Sequence, residues 1–580
     1  MNLLDLDVSG LDVPAFLTGA RSLFLLGAMV WLTLLVLVKR PPWLVAFAIA
    51  ANAYVWAVTN FPLQRLYGLG VSPDRVNNIG LCQVVAAGNS PLRTAQVGQL
   101  HFEPFWGLLV AVMSGWDPDR VLSLYPFLPL LMAAAFTVSL YLGLRVPGSG
   151  DRWPAWERAV VAAFATLLCS SPMDFAGTYR VPWVMTFLLK PNHALGLVLF
   201  PLVLRAFASI RGWGGRVGTG LLLHVLGWVF VLHMVYVAAG LVVFAGLSLL
   251  ARREESRRDV TDVAVVLLVN LLVVSPYLYM LFIGYPFLTP SPVMTIPPWS
   301  PHLLETTVRS GWLFALGVWG AVVAHRKGDR LGRLWAAQVL SAFLIWGGYL
   351  LLSALWMARE RDEIFYWVRF LSAASAGIGV WDLATRVAPR LRGLPSGPAW
   401  RAAGVMLLVL PWSLPYWWDP VRMDSYFSGS IAPLSSMITV PTEFLRHQTE
   451  PDAVVAGDRD FARYVAALGA RRVLLASNYH FPPDAGERIR VEGILMREDD
   501  GRAVAAAAEP YRIRYLVVTP RLLTAFPEVT LEQLQARRHF KTVHLTRDGA
   551  QDFVAILRIE PGRQRLRAAP ARLSPRGEGT

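Results

Sequence analysis

Apolar runs that could cross about 30 Å of hydrocarbon recur through most of this chain, and they exclude nearly every fold that a soluble protein could adopt. They lie near 22–38, 43–60, 121–144, 159–171, 191–206, 217–232, 235–251, 262–284, 310–325, 334–357, 364–384 and 400–418. The fourth is short and must borrow flanking residues to span. Composition agrees: 55% of the 580 residues are hydrophobic and 16% are charged, where an ordinary soluble domain carries about a quarter charged. Cys82 and Cys169 are the only cysteines, and neither belongs to a C-x-x-C pair. That excludes a disulfide-stapled scaffold and a thiolate metal domain.

The net charge of +14 does not call for nucleic acid, because basic loops on the cytoplasmic side account for it in a membrane protein. The clusters are Lys39/Arg40, Arg145/Arg152/Arg158, Arg205/Arg211/Arg216, Arg252/Arg253/Arg257/Arg258, Arg326/Lys327/Arg330/Arg333 and Arg386/Arg390/Arg392/Arg401. If all are inside, every second connection is cytoplasmic and the alternation closes without conflict. The expected fold class is therefore a polytopic α-helical membrane protein with about twelve transmembrane helices in a plasma or inner membrane, with the N-terminus and everything after Pro420 extracytoplasmic. The first segment is not read as a cleavable signal, since the charges before it are mostly acidic: Asp5, Asp7 and Asp12.

Counting Phe102–Trp116 as a span would invert every later cluster. It is read instead as a short helix at the outer interface, within a long first external loop, 61–120. The transmembrane domain covers 1–419. An extracytoplasmic α/β domain follows over 420–561, with strands expected at Ala453–Ala456, Arg472–Ala476, Tyr515–Thr519, Thr542–Leu545 and Phe553–Ile559. A helix is expected over Phe461–Leu468 with Gly469 as its C-cap. Another starts at Leu531, where Thr530 and Gln533 fit a capping box. Residues 562–580 have the composition of a disordered basic tail.

Polar residues concentrate at the outer ends of the spans. Asp74, Arg75, His101 and Glu103 stand in the first loop, and Asp174, Arg180, Lys190 and His193 in the second. His233 sits at an expected tight turn, and Arg359, Arg361, Asp362, Glu363 and Arg369 follow later. Cations on the outer side run against orientation rules, so an anionic ligand at the membrane surface is one reason for them. Arg369 lies inside an apolar run, Tyr366-Trp367-Val368 then Phe370-Leu371, and must face a partner or a polar cavity.

The first loop carries Pro73-Asp74, Gly88-Asn89, His101-Phe102-Glu103-Pro104 and Gly115 in that order. This order resembles the GT-C superfamily of membrane glycosyltransferases, especially the branch of the lipid A aminoarabinose transferase and the protein mannosyltransferases. The resemblance implies a GT-C-like fold and transfer of a sugar from a polyprenyl-phosphate carrier to an acceptor, of unassigned identity, on the outer face. It implies Asp74 as the catalytic base, with Arg75, Glu103, Asp174, Arg180, Lys190, His193, His233, Arg361 and Arg369 as substrate-binding positions. A carboxylate can take the acceptor's proton as the anomeric carbon gains positive character, and Arg and Lys suit the departing phosphate. The family's second acidic residue after the Asp is replaced here by Arg75, which leaves a divalent cation, Mg or Mn, as an open alternative with no assigned ligands.

Each residue also has a bland role. Asp74 can cap a turn, Glu103 can complement a helix dipole, Lys190 can snorkel, and a lone His at a helix end is commonly structural. Arg361 can pair with its acidic neighbours. Trp417-Trp418-Asp419 fits an interfacial belt, and Gly457-Asp458-Arg459-Asp460 fits either a small-ligand site or a helix N-cap. A transporter or lipid flippase is the rival reading, but no inverted repeat or paired broken helix is found. A non-catalytic GT-C-like scaffold is the third.

Overall fold

The computed structural model describes residues 39–50, 73–97, 104–146, 152–169, 191–251, 254–284, 311–355, 361–390, 397–406, 435–476, 482, 484–549 and 552–560. The expected span at 22–38, the residues Trp417–Asp419 and the tail at 562–580 lie outside them. The chain forms two compact units: Met1–Arg93 with Leu100–Pro433, and Thr94–Gln99 with Leu434–Thr580.

In the first unit, helices occupy the described part of every expected apolar run after the first. They are α1 (Pro41–Ala50), α2 (Pro73–Ala86), α3 (Pro104–Met113), α4 (Pro118–Leu124), α5 (Leu128–Gly143), α6 (Ala155–Cys169), α7 (Pro191–Ala208), α8 (Trp213–Val229), α9 (Val231–Leu250), α10 (Ser256–Gly284), α11 (Gly311–Arg326), α12 (Arg330–Leu355), α13 (Arg361–Val387) and α14 (398–406). Among the described residues, three stretches are long and apolar enough to cross a membrane: Val231–Leu250, Ser256–Tyr279 and Arg330–Leu351. The long helix α10 shows how such a span is built. Val263, Val266, Asn270, Val274 and Tyr277 are buried at helical spacing, while Leu268, Leu271, Leu272 and Tyr279 are exposed. An apolar face left outside packing suits contact with lipid.

Two expected boundaries move. The run 121–144 is not one helix, because Pro126 and Pro129 lack the N–H that would continue the ladder, and a 3₁₀ turn at Tyr125–Phe127 separates α4 from α5. The turn placed at His233 falls earlier, at Phe230, whose backbone is extended (φ −159°, ψ 106°) and starts α9; His233 rides on that helix's first turn. Small residues allow the closest helix contact. A Cβ on Gly317 would stand 2.8 Å from Ser372 Cα, Gly379 approaches the Leu316 carbonyl, and Gly320 touches the Ser375 backbone. Packing and polar pairing, such as Trp335 Nε1 donating to Ser375 Oγ at 2.7 Å, hold helices together where lipid supplies no hydrophobic drive.

Described members of five of the six basic clusters gather at one end of this unit. Asp262, fully buried, accepts from Arg216 at 2.6 Å and Arg330 at 2.5 Å, and Arg330 Nε also lies 3.0 Å from Asp259. Arg333 pairs with Glu255 at 2.9 Å, and Lys327 reaches Glu157 at 2.8 Å and the Arg152 carbonyl. Arg258 donates to the Ile210 carbonyl. Arg326 and Arg386 both stand over the Trp319 ring, each 5.7 Å from its centroid.

The second unit is α/β. Its elements are α15 (Ser436–Gln448), β1 (Val454–Gly457), α16 (Arg459–Ala467), β2 (Arg472–Val473), α17 (Ala485–Arg497), α18 (Gly501–Ala508), β3 (Ile513–Val518), α19 (Pro520–Thr524), α20 (Leu531–Ala536), β4 (Phe540–Asp548) and β5 (Asp552–Ile559). The sheet runs β2-β1-β3-β5-β4, with β1, β2 and β3 parallel and the β3–β5 and β5–β4 pairs antiparallel. Alternation along β3 fills two cores. Leu516 and Val518 join Leu495, Leu534 and Leu557 on one face, while Tyr515 and Val517 join Leu445, Val465 and Ile556 on the other. The capping box forms in full: Gln533 N donates to Thr530 Oγ1 at 3.2 Å and Thr530 N to Gln533 Oε1 at 2.8 Å. The expected C-cap at Gly469 is displaced. Leu468 caps the helix and Ala470 takes the left-handed backbone (φ 52°), while Gly469 is required because a Cβ there would press on the Val465 carbonyl at 2.6 Å.

Candidate functional site

The first loop is built as two helices, each opened by a proline and closed by a glycine. Pro73 starts α2 and Pro104 starts α3, the position where a missing N–H costs nothing. Helix α2 ends in a paired C-cap: Asn89 N donates to the Val84 carbonyl at 3.1 Å, and Gly88, at φ +92°, donates to Val85 at 2.9 Å. Helix α3 repeats it, with Trp116 N on the Ala111 carbonyl at 2.8 Å and Gly115, at φ +67°, on Val112 at 3.0 Å. Both are Schellman closures, which need a residue at positive φ and so favour glycine. The motif positions Pro73, Gly88, Pro104 and Gly115 are therefore helix boundaries.

The two helices cross at Gly107, where a Cβ would lie 3.1 Å from Leu81 Cγ and 3.3 Å from Val85 Cγ2. Trp106, fully buried, meets the edge of Tyr125. Ten residues in α3 give a length of about 15 Å, half a hydrocarbon thickness and short of a crossing. Buried Cys82 in α2 has its thiol pushed up by loss of water, which removes it as a nucleophile. Asp74 and Arg75 lie in the first turn of α2, and their side chains are outside the described residues.

Two further expected residues, His193 and His233, meet at the end of the first unit opposite the ion-paired arginines, and Arg369 lies on a helix packed against them. His193 on the first turn of α7, His233 on the first turn of α9 and Arg369 on α13 are all buried. The His193 ring stacks on Phe230 with centroids 3.9 Å apart, and Phe230 meets His233 edge-on at 4.6 Å. The His193 and His233 rings stand 6.3 Å apart. Trp367, two residues before Arg369, packs on His233 at 5.1 Å, on Tyr236 at 5.5 Å and on Phe200 at 5.1 Å. Gly196 makes room for His233, because any Cβ there would collide with its Nδ1. That nitrogen is buried with no hydrogen-bond partner among the described residues. The arrangement is a packed aromatic floor that carries two imidazoles and holds the backbone of Arg369 in a rigid helix.

Among the described residues no three His, Cys, Asp or Glu side chains converge as metal ligands. The Phe230 ring contacts both imidazoles, and no third His, Cys, Asp or Glu joins the pair among the described residues. Glu103, Asp174, Arg180 and Lys190 lie outside the described residues, and Arg361 begins α13 with its side chain likewise outside. In the second unit, Gly457-Asp458-Arg459-Asp460 resolves as a helix cap: Asp458 Oδ1 accepts from Asp460 N at 2.8 Å and Phe461 N at 3.1 Å. Arg459 pairs with buried Glu492 at 2.6 Å, whose carboxyl is raised by burial. Sequence reading missed Phe230 and Gly196, which no polar signal marks.

No family model matches this chain, and no curated protein matches it. Among solved structures it is similar to the Archaeoglobus fulgidus oligosaccharyltransferase in its apo form, at a TM-score of 0.48 and 11% identity over 82% of this chain and 70% of that one. It is also similar to the Archaeoglobus fulgidus enzyme in complex with Zn and sulfate, at 0.43 and 12% over 83% and 69%. For the complex of that archaeal enzyme with an inhibitory peptide and a dolichol-phosphate the values are 0.42 and 11% over 83% and 70%. Scores below 0.5 at such identities decide neither fold nor activity.

Proposed function

We propose that this chain is a GT-C-like membrane glycosyltransferase that moves a sugar from a polyprenyl-phosphate carrier to an acceptor on the outer face of the membrane. The observation that carries this reading is the first loop, in which Pro73, Gly88, Pro104 and Gly115, the positions that resemble the family's motifs, coincide with the starts and Schellman closures of two crossed helices. In this reading Asp74 takes the proton of the acceptor's attacking group. The bond from the anomeric carbon to the phosphate oxygen breaks as the new bond forms, and the departing phosphate is met by Arg369 and Lys190, with Arg180 or Arg361 beside them. Arg75, Glu103, Asp174, His193 and His233 line the binding region. No step is routed through a divalent cation, although Mg or Mn remains compatible with the chemistry.

The test is Asp74→Asn in native membranes supplied with a radiolabelled polyprenyl-phosphate sugar. Loss of a base costs about 10²-fold or more in rate, and a carboxylate with a capping role alone should leave the rate nearly unchanged. Retained transfer removes Asp74 from the mechanism.

Twelve crossings with both ends outside belong to the same reading, supported by the collection of basic clusters at one end. Impermeant labelling of a cysteine placed on the exposed face of helix Leu531–Ala536 should succeed in intact cells. Labelling that appears after permeabilisation alone would put the terminal domain inside.

A further inference from the structure

Thr94–Gln99, in the middle of the first loop, belongs to the α/β unit. Gln96 bridges Val473 in parallel, beside the short edge strand β2. Val473 N donates to the Ala95 carbonyl at 2.9 Å, and Val97 N donates to the Val473 carbonyl at 3.0 Å. The Gln96 side chain, 1% exposed, then accepts from Ala476 N through Oε1 at 3.1 Å. Thr94 Oγ1 shapes the approach, donating to the Gln96 carbonyl and accepting from its N–H. Val97 packs against the core formed by Leu474 and Leu516. The loop thus completes an edge that β2 alone leaves two residues long, and Gln96 holds it by main chain and side chain together.

We infer that Gln96 is a positioning residue: the α/β domain grips the first loop at Thr94–Val97 and so fixes the tether between α2, which carries Asp74, and α3, which opens at Pro104. This rests on the glycosyltransferase reading for its consequence in catalysis, though not for the grip itself. The tether is short. Residues 98–103 are all that separate Val97 from Pro104, and Ser90–Arg93 all that separate the Asn89 cap from Thr94. With both flanks this brief, release of the strand frees the loop that connects the two crossed helices.

The experiment uses the full chain in nanodiscs, with Gln96→Met, which keeps the length and removes the acceptor, and Val97→Pro, which removes the donor to Val473. Hydrogen exchange is read at three places. The strand amides of Val473 and Ala476 should exchange about tenfold faster or more in both variants, and those of Leu516 and Ile556 in the sheet centre should stay protected, which shows that the domain is still folded. The α2 amides should also lose about tenfold protection, and kcat for sugar transfer should fall by about tenfold to 10²-fold while KM for the carrier changes less than threefold, as expected when a reacting group is misplaced. Freed Val473 and Ala476 amides with α2 protection and kcat unchanged would overturn the inference. If the parent chain shows no transfer from any polyprenyl-phosphate sugar, the glycosyltransferase reading fails, while loss or retention of α2 protection still decides the grip.

Discussion

The two ends of the helical unit solve the same problem, buried polar groups, in opposite ways. At the arginine end the most deeply buried carboxylates are matched: Asp262 to Arg216 and Arg330, Asp259 to Arg330 and Arg333, Glu157 to Lys327. At the other end His193 and His233 are buried among Phe230, Trp367 and Phe200, and His233 Nδ1 has no partner among the described residues. Charge that is paired off is structural, because each ion's desolvation is offset by its neighbours. A buried donor or acceptor left unmatched costs stability and is retained where it has another use. The difference separates an end held by ion pairs from an end held by ring packing.

The sharpest way to break this contrast is Asp262→Ala, which leaves half-buried Arg216 without its carboxylate and Arg330 with Asp259 alone. It should cost about 3–5 kcal/mol, read as a large fall in the melting temperature of the detergent-solubilised protein; a shift of a degree or so would mean the network is not a lock. Next in size is Gly196→Ala, which drives a methyl into the His233 ring and should cost about 1–3 kcal/mol as an overpacked site. Gly218→Ala, in open space on α8, should instead be neutral or stabilising by up to about 1 kcal/mol. Equal behaviour of the two alanines would show that the aromatic end is loosely packed.

A fourth substitution, Arg369→Lys, should weaken binding of a polyprenyl-phosphate by about tenfold, since a point charge cannot reproduce bidentate donation, and Arg369→Ala should nearly abolish it without lowering the melting temperature. Normal affinity in a destabilised Arg369→Ala protein would move Arg369 to the structural side of the comparison.

The smallest effect is expected at Glu255, whose carboxyl is held below the usual range by the hydrogen bond from Arg333. A lowered folded pKa means that its stabilisation is complete above the ordinary carboxylate value of about 4.3 and is lost as pH falls through the lowered one. Its side chain is 64% exposed, so Glu255→Gln should cost less than about 1 kcal/mol at pH 7 and should flatten the acid limb of the melting curve. An unchanged acid limb would assign that limb to other carboxylates.

Much of this was legible in the sequence where one residue type enforces one geometry. The apolar runs located the helices, and Thr530 with Gln533 announced a capping box that forms with both bonds. The apolar run Tyr515–Thr519 marked a strand, which the fold makes central with two buried faces. Helix boundaries within continuous apolar sequence were not legible: nothing in Trp228-Val229-Phe230-Val231 says which residue takes the extended backbone. The α/β unit hid four helices, Ser436–Gln448, Ala485–Arg497, Gly501–Ala508 and the short Pro520–Thr524. Their charged and small residues give a weak apolar stripe, and tertiary burial of Leu445, Leu495 and Val504 decides them. His193, His233 and Arg369 were visible as misplaced polar groups, but the rings that hold them are ordinary apolar residues. The membership of Thr94–Gln99 in a domain that starts more than three hundred residues later left no local signature at all.

That insertion also sets an order of assembly. Gln96 and Ala476 are 380 positions apart, so the loop emerges from the ribosome long before the strand it will join exists. At synthesis rates of about 5–20 residues per second, the wait is on the order of 20–80 s, during which the loop has its two helices and no sheet. Closure of that edge is a late, non-local event, the slow kind in which loop entropy must be overcome before any contact rewards it. A chain halted before residue 472 would carry the motif-bearing loop in full and still lack the edge that receives it.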